Sequence, residues 1–600
     1  MFTTRPTLQG TFGMVSSTHW LASQSAMAVL EDGGNAYDAA VAAGFVLHVV
    51  EPHLNGPAGE VPMILAPKDG EVRVLCGQGP APAGATVAHY RSLGLDLVPG
   101  TGPLAAAVPG AFDAWMLLRD HGTKTVAEVL RYAIGYAEDG HAPVERVGQT
   151  VETVRELFET EWQSSADVYL PGGKAPRPGE LFRNPALAAT WRRLITEAEE
   201  TGGEDRAAQI DAARRIWSEG FIAEALVRQA ARPTMDTSGT RHTGTLTAAD
   251  LAGWSASYEA PATYDWNGWT LAKAAGWSQG PAFLQQLALL PDELPRYGSA
   301  DYVHLLIEGC KLAMADREAW YGDATDVPLD ALLSEPYNAE RRALITAEAS
   351  HELRPGSPDG RTPVLSRHAH AVAAGGDGFD AMGIPTAGVG EPTVAKDGTT
   401  RGDTCHVDVV DRWGNMVSAT PSGGWLQSNP VVPELGFPLG TRLQMAWLDE
   451  GLPNSLTPGR RPRTTLTPSL ALRDGVPVMA FGTPGGDQQD QWQVHFFLAV
   501  ALRAEVRGGL DLQGAIDAPN WHNDSFPGSF FPRGMRPGSV TVEEGMDPEV
   551  VEELRRRGHD VTVGDPWSEG RMCAVARDPE TGVLSAAANP RGMQGYAVGR

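Results

Sequence analysis

The stretch Arg401-Gly-Asp-Thr-Cys-His-Val-Asp-Val-Val-Asp411 decides how this chain is read. Strand side chains alternate, so a strand opening at Thr404 puts Thr404, His406 and Asp408 on one face and Cys405, Val407 and Val409 on the other. The turn Asp411-Arg-Trp-Gly-Asn415 and the run Met416 to Thr420 predict a hairpin, with Gly414 supplying a positive φ. Ahead of it, from Ala371 to Asp403, the periodicity dissolves into glycines from Gly375 to Gly402 with Pro385 and Pro392 between them, the pattern of a long flexible loop.

A threonine opening a strand is ordinarily a β-former, so position alone gives Thr404 no chemistry. Its context does. A glycine-rich loop delivers Arg401-Gly-Asp-Thr404 into a sheet, and Gly482-Thr-Pro-Gly-Gly486 opens a helix expected from about Asp487 to Val506. Those are the parts for a chain cut before Thr404: the freed α-amine serves as base to its own hydroxyl, and Gly-Gly amides hold an oxyanion. A Cys405-His406 dyad is geometrically poor, because neighbours in a strand point apart. His406 and Asp408 share a face and could chelate, but no third ligand is evident.

Further out, a helix is expected near Leu21 to Glu31, stopped by Gly33-Gly34, and a buried one from Tyr37 to Val50, stopped by Pro52. A charged, Ala/Glu/Arg-rich region from about 125 to 250 reads as an accessory helical layer. Tyr302 to Trp320 reads as a helix covering a sheet, with Glu308, Lys311, Asp316 and Arg317 on its other face. Ser469 to Leu472, a D-G turn at Asp474-Gly475 and Val476 to Phe481 predict a second hairpin.

Composition narrows the class. With 42% hydrophobic and 20% charged residues the chain reads as a globular protein, by default an enzyme. A formal charge of -26 repels phosphate backbones and anionic lipid, which argues against nucleic-acid and membrane partners and for a small-molecule or short-peptide substrate. Cys76, Cys310, Cys405 and Cys573 are widely spaced without CxxC and read as reduced, buried thiols. Residues 1 to 13 lack the apolar core of a secretory signal, and the apolar run Ala39 to Val50 falls short of a bilayer span, so a cytoplasmic location is expected.

Gly13-Met-Val-Ser16, Gly33-Gly-Asn35, Glu51-Pro-His53, Ala81-Pro82, Val108-Pro-Gly110, Tyr321-Gly-Asp323, Thr404-Cys-His406, Pro484-Gly-Gly486, Gly558-His559 and Pro590-Arg591 occur in this order along the chain. Together they resemble the gamma-glutamyltransferase family from about Gly10 to Arg600. The resemblance implies an α+β fold, the four-layer αββα sandwich of N-terminal nucleophile hydrolases. It also implies scission between Asp403 and Thr404 into a large fragment, 1–403, and a small one, 404–600, held as a heterodimer; a dimer of such heterodimers is one assembly open to it. By position it makes Thr404 nucleophile and base, Ser422 a second hydroxyl beside it, Gly485 and Gly486 the oxyanion hole, and Thr464 and Thr465 substrate-binding hydroxyls. It calls for no metal and no cofactor.

Two departures bear on the substrate. Gln78 stands where the family has an arginine for the donor's α-carboxylate, exchanging a charge-assisted pair for a neutral amide. The segment Gly436 to Met445, where the family has an acid for the donor's α-ammonium, carries Arg442 as its only charge. The loop Leu54-Asn-Gly-Pro-Ala-Gly-Glu-Val61 is altered as well. The main expectation is acyl transfer or hydrolysis from an amide donor through an acyl-threonine. The alternatives are a non-glutamyl amidohydrolase acting on small acid amides or acylated β-lactams, an uncut family member acting as a binding protein, and a metal hydrolase using His406 and Asp408.

Overall fold

The structure is a computed structural model and describes residues 3–118, 121–324, 326–374, 404–507, 510–591 and 595–600. The strands that build its two large sheets are β1 (Leu8–Gly10), β2 (Gly13–Ser17), β3 (Met63–Ala66), β4 (Arg73–Cys76), β5 (Ser257–Glu259), β6 (Ala262–Trp266), β7 (Trp269–Lys273), β8 (Val407–Asp411), β9 (Met416–Ala419), β10 (Ser469–Arg473), β11 (Val476–Gly482), β12 (Cys573–Arg577), β13 (Leu584–Ala588) and β14 (Tyr596–Gly599). One sheet runs β1-β13-β12-β11-β10-β7-β6 and the other β14-β2-β8-β9-β3-β4-β5, with every neighbouring pair antiparallel.

The period of two sorts each strand between two cores. From β8, Val407 and Val409, with Cys405 ahead of them, pack toward the helices α1 (Trp20–Glu31) and α2 (Ala36–Val50). Val410 turns the other way, into the layer between the sheets, where it meets Met14, Leu470, Ala480 and Val575. On the far side α3 (Gly280–Ala288), α4 (Ala300–Trp320) and α5 (Gln489–Arg507) cover the first sheet through Phe283, Ile307, Phe481 and Phe497. The result is helix, sheet, sheet, helix, the four-layer αββα sandwich expected from the sequence.

Both hairpins form. Gly414 has φ 96° and its N–H donates to Asp411 O, while β8 pairs with β9 from Val407↔Ala419 to Val410↔Met416. The regular ladder begins at Val407 rather than Thr404, although Cys405 N still donates to Pro421 O at 2.9 Å. Asp474 and Gly475 both take positive φ in the turn between β10 and β11. α2 starts on a capping box in which the Asn35 side chain accepts from Asp38 N and the Asp38 carboxylate from Asn35 N. Helices occupy much of 126–252. The charged residues of α4 are buried rather than solvated: Glu308 binds Lys311, Asp316 binds Arg341, and Arg317 binds Asp487, 170 residues further along the chain. Residues 371–373 belong to a helix, Arg367–Ala373; the remaining loop expected over 375–403, with Asp403, lies outside the described residues. The four cysteines are free and buried. Among the described residues no helix is long and apolar enough to cross a membrane.

Candidate active site

Thr404 lies at the mouth of β8, fully buried, and its hydroxyl donates to Ser422 Oγ at 3.2 Å. The β8–β9 hairpin makes this meeting: its ladder carries the chain back so that Pro421 and Ser422 lie opposite Cys405 and Thr404. Ser422 is fixed in turn by a two-way backbone pair with Glu60, with N···O distances of 2.8 and 2.9 Å. His406 follows on the same face as Thr404, with Nδ1 2.9 Å from Thr420 Oγ1 and Nε2 2.9 Å from Asp408 Oδ1. Both ring nitrogens are therefore engaged within the chain. Burial holds the Asp408 carboxyl above its ordinary pKa. Cys405 points the other way and donates to Glu51 Oε2 at 3.0 Å; burial, with Glu51 beside it, pushes its thiol far up, away from thiolate chemistry.

The Gly482-Thr-Pro-Gly-Gly486 loop leaves β11 beside His406 and ends in a single 3-10 turn, Gly486–Gln488, before α5. Gly485 has φ 130° and Gly486 φ 53°, and a Cβ on Gly485 would overlap the Trp492 ring. Only glycine fits this bend. Neither N–H donates to another described residue. The loop is anchored from behind: Gln279 Nε2 donates to Gly486 O, and Asp487 is held by Arg317 and by Ser529.

Of the paired threonines, Thr464 turns its hydroxyl to Leu466 N, whereas Thr465 Oγ1 is buried without a partner. Gln78 is buried beside the chain that carries Glu60, since Val61 N donates to Gly77 O. Its amide donates to Gly79 O at 3.2 Å and leaves Oε1, an acceptor, unpartnered, an arrangement suited to a donor group rather than to a carboxylate.

Arg442 is fully buried with Glu60, Nε to Oε2 at 3.0 Å, and its guanidinium lies over Trp425 and Phe530. Nη2 has no partner. Glu60 is the site residue that sequence reasoning missed. The segment around Arg442 has no acid of its own, and the acid comes from the altered loop 382 residues earlier. The only signal was that loop's departure from the family pattern. His304, Glu308 and His559 also gather as metal-capable groups, on α4 and at the corner after residue 558, but Glu308 there is tied to Lys311 at 2.6 Å and Arg354 at 3.1 Å.

Comparison with known proteins places this arrangement. Over its full length the chain is 82% identical to the solved LmbA2991, with a TM-score of 0.95 and 100% of both chains covered. It is 31% identical to the oxamate amidohydrolase proenzyme of Klebsiella pneumoniae subsp. pneumoniae, over 98% of each chain. The cephalosporin acylase of Bacillus halodurans superposes with a TM-score of 0.80 at 26% identity, covering 100% of this chain and 97% of that one. The family profile described as gamma-glutamyltranspeptidase matches residues 22–599. With the sandwich and the threonine at the mouth of β8, that match makes the chain an enzyme of the gamma-glutamyltranspeptidase family.

Proposed function

We propose that the chain is a self-cleaving amidohydrolase whose donor is an amide carrying a free carboxylate on its acyl half, and that a γ-glutamyl group is not its preferred donor. Thr404 Oγ1 first attacks the Asp403 carbonyl, and hydrolysis of the resulting ester frees the Thr404 α-amine. In turnover that amine takes the hydroxyl proton as Thr404 adds to the substrate carbonyl, and the Gly485 and Gly486 N–H groups receive the oxyanion. The proton passes to the leaving amine, and water then opens the acyl-threonine to the acid.

The observation that carries the substrate class is the unpartnered Nη2 of Arg442, buried beside the carboxylate of Glu60, whose backbone pairs with that of Ser422. A substrate carboxylate completes that guanidinium through a charge-assisted bond, and the Thr465 hydroxyl adds a donor. An α-ammonium is offered only a neutral acceptor, Gln78 Oε1, because the Glu60 carboxylate is already bonded by Arg442. The relatives named for oxamate and cephalosporin substrates fit a non-glutamyl reading. The test compares kcat/KM for oxamate and glutaryl anilide with γ-glutamyl anilide. The acid amides lacking an α-ammonium should lead by about ten-fold or more, from the cost of burying an unmatched ammonium. A lead for the γ-glutamyl compound restores the ordinary family activity.

A further inference from the structure

Among the described residues Arg571 alone of the arginines has both terminal guanidinium nitrogens buried and without a hydrogen-bond partner. It is more than nine-tenths buried. A buried guanidinium needs a counter-charge, so the carboxylates around it matter. Glu569, two residues back, is taken by His522 and by Trp492 Nε1. Glu543 is taken by Arg591 at 2.6 and 2.7 Å, and Asp487 by Arg317 and Ser529. Asp408 keeps Oδ2 without a partner, but no ion pair joins it to Arg571.

Its place in the fold says what could supply the missing charge. Arg571 N donates to Thr483 Oγ1 at 2.9 Å, which ties its backbone to the loop that ends in Gly485 and Gly486. β12 begins two residues later with Cys573 paired to Gly482. Continuing the period of β12 back from Val575, which faces the layer between the sheets, puts Arg571 on that same face. This is the face that His406 and Asp408 occupy from the opposite sheet. The strand order matters too: β10, entered from Thr464 and Thr465, lies on one side of β11, and β12, entered from Arg571, lies on the other. The loop after β11 thus has the acyl-side hydroxyls on one flank and an uncompensated arginine on the other.

We propose that Arg571 receives a carboxylate on the leaving amine, so that the substrates are N-acylated amino acids whose acyl half carries a second carboxylate. This rests on the acyl-side reading above for the second carboxylate, but the Arg571 contact stands on its own geometry. Carboxylates at both ends then seat the scissile amide between two guanidinium groups, with its carbonyl toward Gly485 and Gly486.

The experiment compares N-oxalylglycine with N-ethyloxamate, which share the acyl half and differ in the charge of the leaving amine, in the wild type, Arg571→Met and Arg571→Lys. Release of the small fragment reports that each variant folds. The wild type should favour N-oxalylglycine in kcat/KM by about ten-fold or more, the strength of one hydrogen bond to a charged group. In Arg571→Met the ratio should fall to near one, and Arg571→Lys should keep part of it. An unchanged ratio in Arg571→Met, or no preference in the wild type, overturns the proposal. If neither oxalyl compound is turned over, the acyl-side reading fails while this one is still decided: calorimetric binding of N-acetylglycine should weaken about ten-fold or more in Arg571→Met, and equal binding to both proteins refutes the contact.

Discussion

At position 442 a guanidinium is held by one carboxylate and has a second nitrogen to offer, and Glu60, which holds it, also carries the backbone that positions Ser422. Arg442→Met should therefore lower kcat/KM for oxamate by about ten- to a hundred-fold, and Arg442→Lys should recover only part, because an ammonium cannot serve Glu60 and a substrate carboxylate with a planar fork. Leaving Glu60 buried without its partner should also cost about 3–5 kcal/mol of stability, measurable by denaturant unfolding. At this scale the sequence was legible where roles sit on neighbouring strands. Thr404 and Ser422, 18 residues apart, were both named from the family resemblance and are brought together by one hairpin. Glu60 was not legible, because nothing in the residues around either partner encodes a pairing across 382 positions.

Elements carry the next level of control, and the loop after β11 shows it. Gly482 faces His406 so closely that a Cβ would overlap the imidazole. Gly482→Ala should displace His406 from Asp408 and Thr420 and slow the appearance of the small fragment, followed by gel over time after synthesis. Behind the same loop a buried cluster ties Trp492 and His522 to Glu569, with Asp524 3.6 Å from the histidine. Burial alone would lower the His522 pKa, but Glu569 and Asp524 outweigh it and raise it to about 10. A histidine raised in the folded state contributes its full stability below its free value of about 6.5 and loses it as pH climbs toward 10. The difference in Tm between the wild type and His522→Gln should therefore be largest near pH 6 and shrink steadily toward pH 10. A difference independent of pH would show that the ion pair is not its source. The hairpin β10–β11 was readable because Asp474-Gly475 is a turn signal between two apolar runs. The burial of Glu308, Lys311, Asp316 and Arg317 was not, since periodicity marks a polar face without telling whether water or a distant partner meets it.

At the scale of the whole molecule, each large sheet is woven from both sides of the junction between 403 and 404. β1, β6 and β7 share one sheet with β10 to β13, while β2 to β5 share the other with β8, β9 and β14. Cutting the chain therefore severs no ladder, and β8 stays clamped between β2 and β9. The two fragments should co-elute as one species in size-exclusion chromatography and part only under denaturing conditions. Fragments that separate in native buffer would contradict the shared sheets. Intact mass of the purified protein tests the central claim most directly. Scaled by residue number, the 63.9 kDa chain should appear as pieces of about 43 and about 21 kDa, the small one with the mass of a chain beginning at Thr404, while Thr404→Ala stays whole. A wild-type protein found as a single 63.9 kDa chain, or a small fragment beginning at any other residue, would contradict Thr404 as the nucleophile.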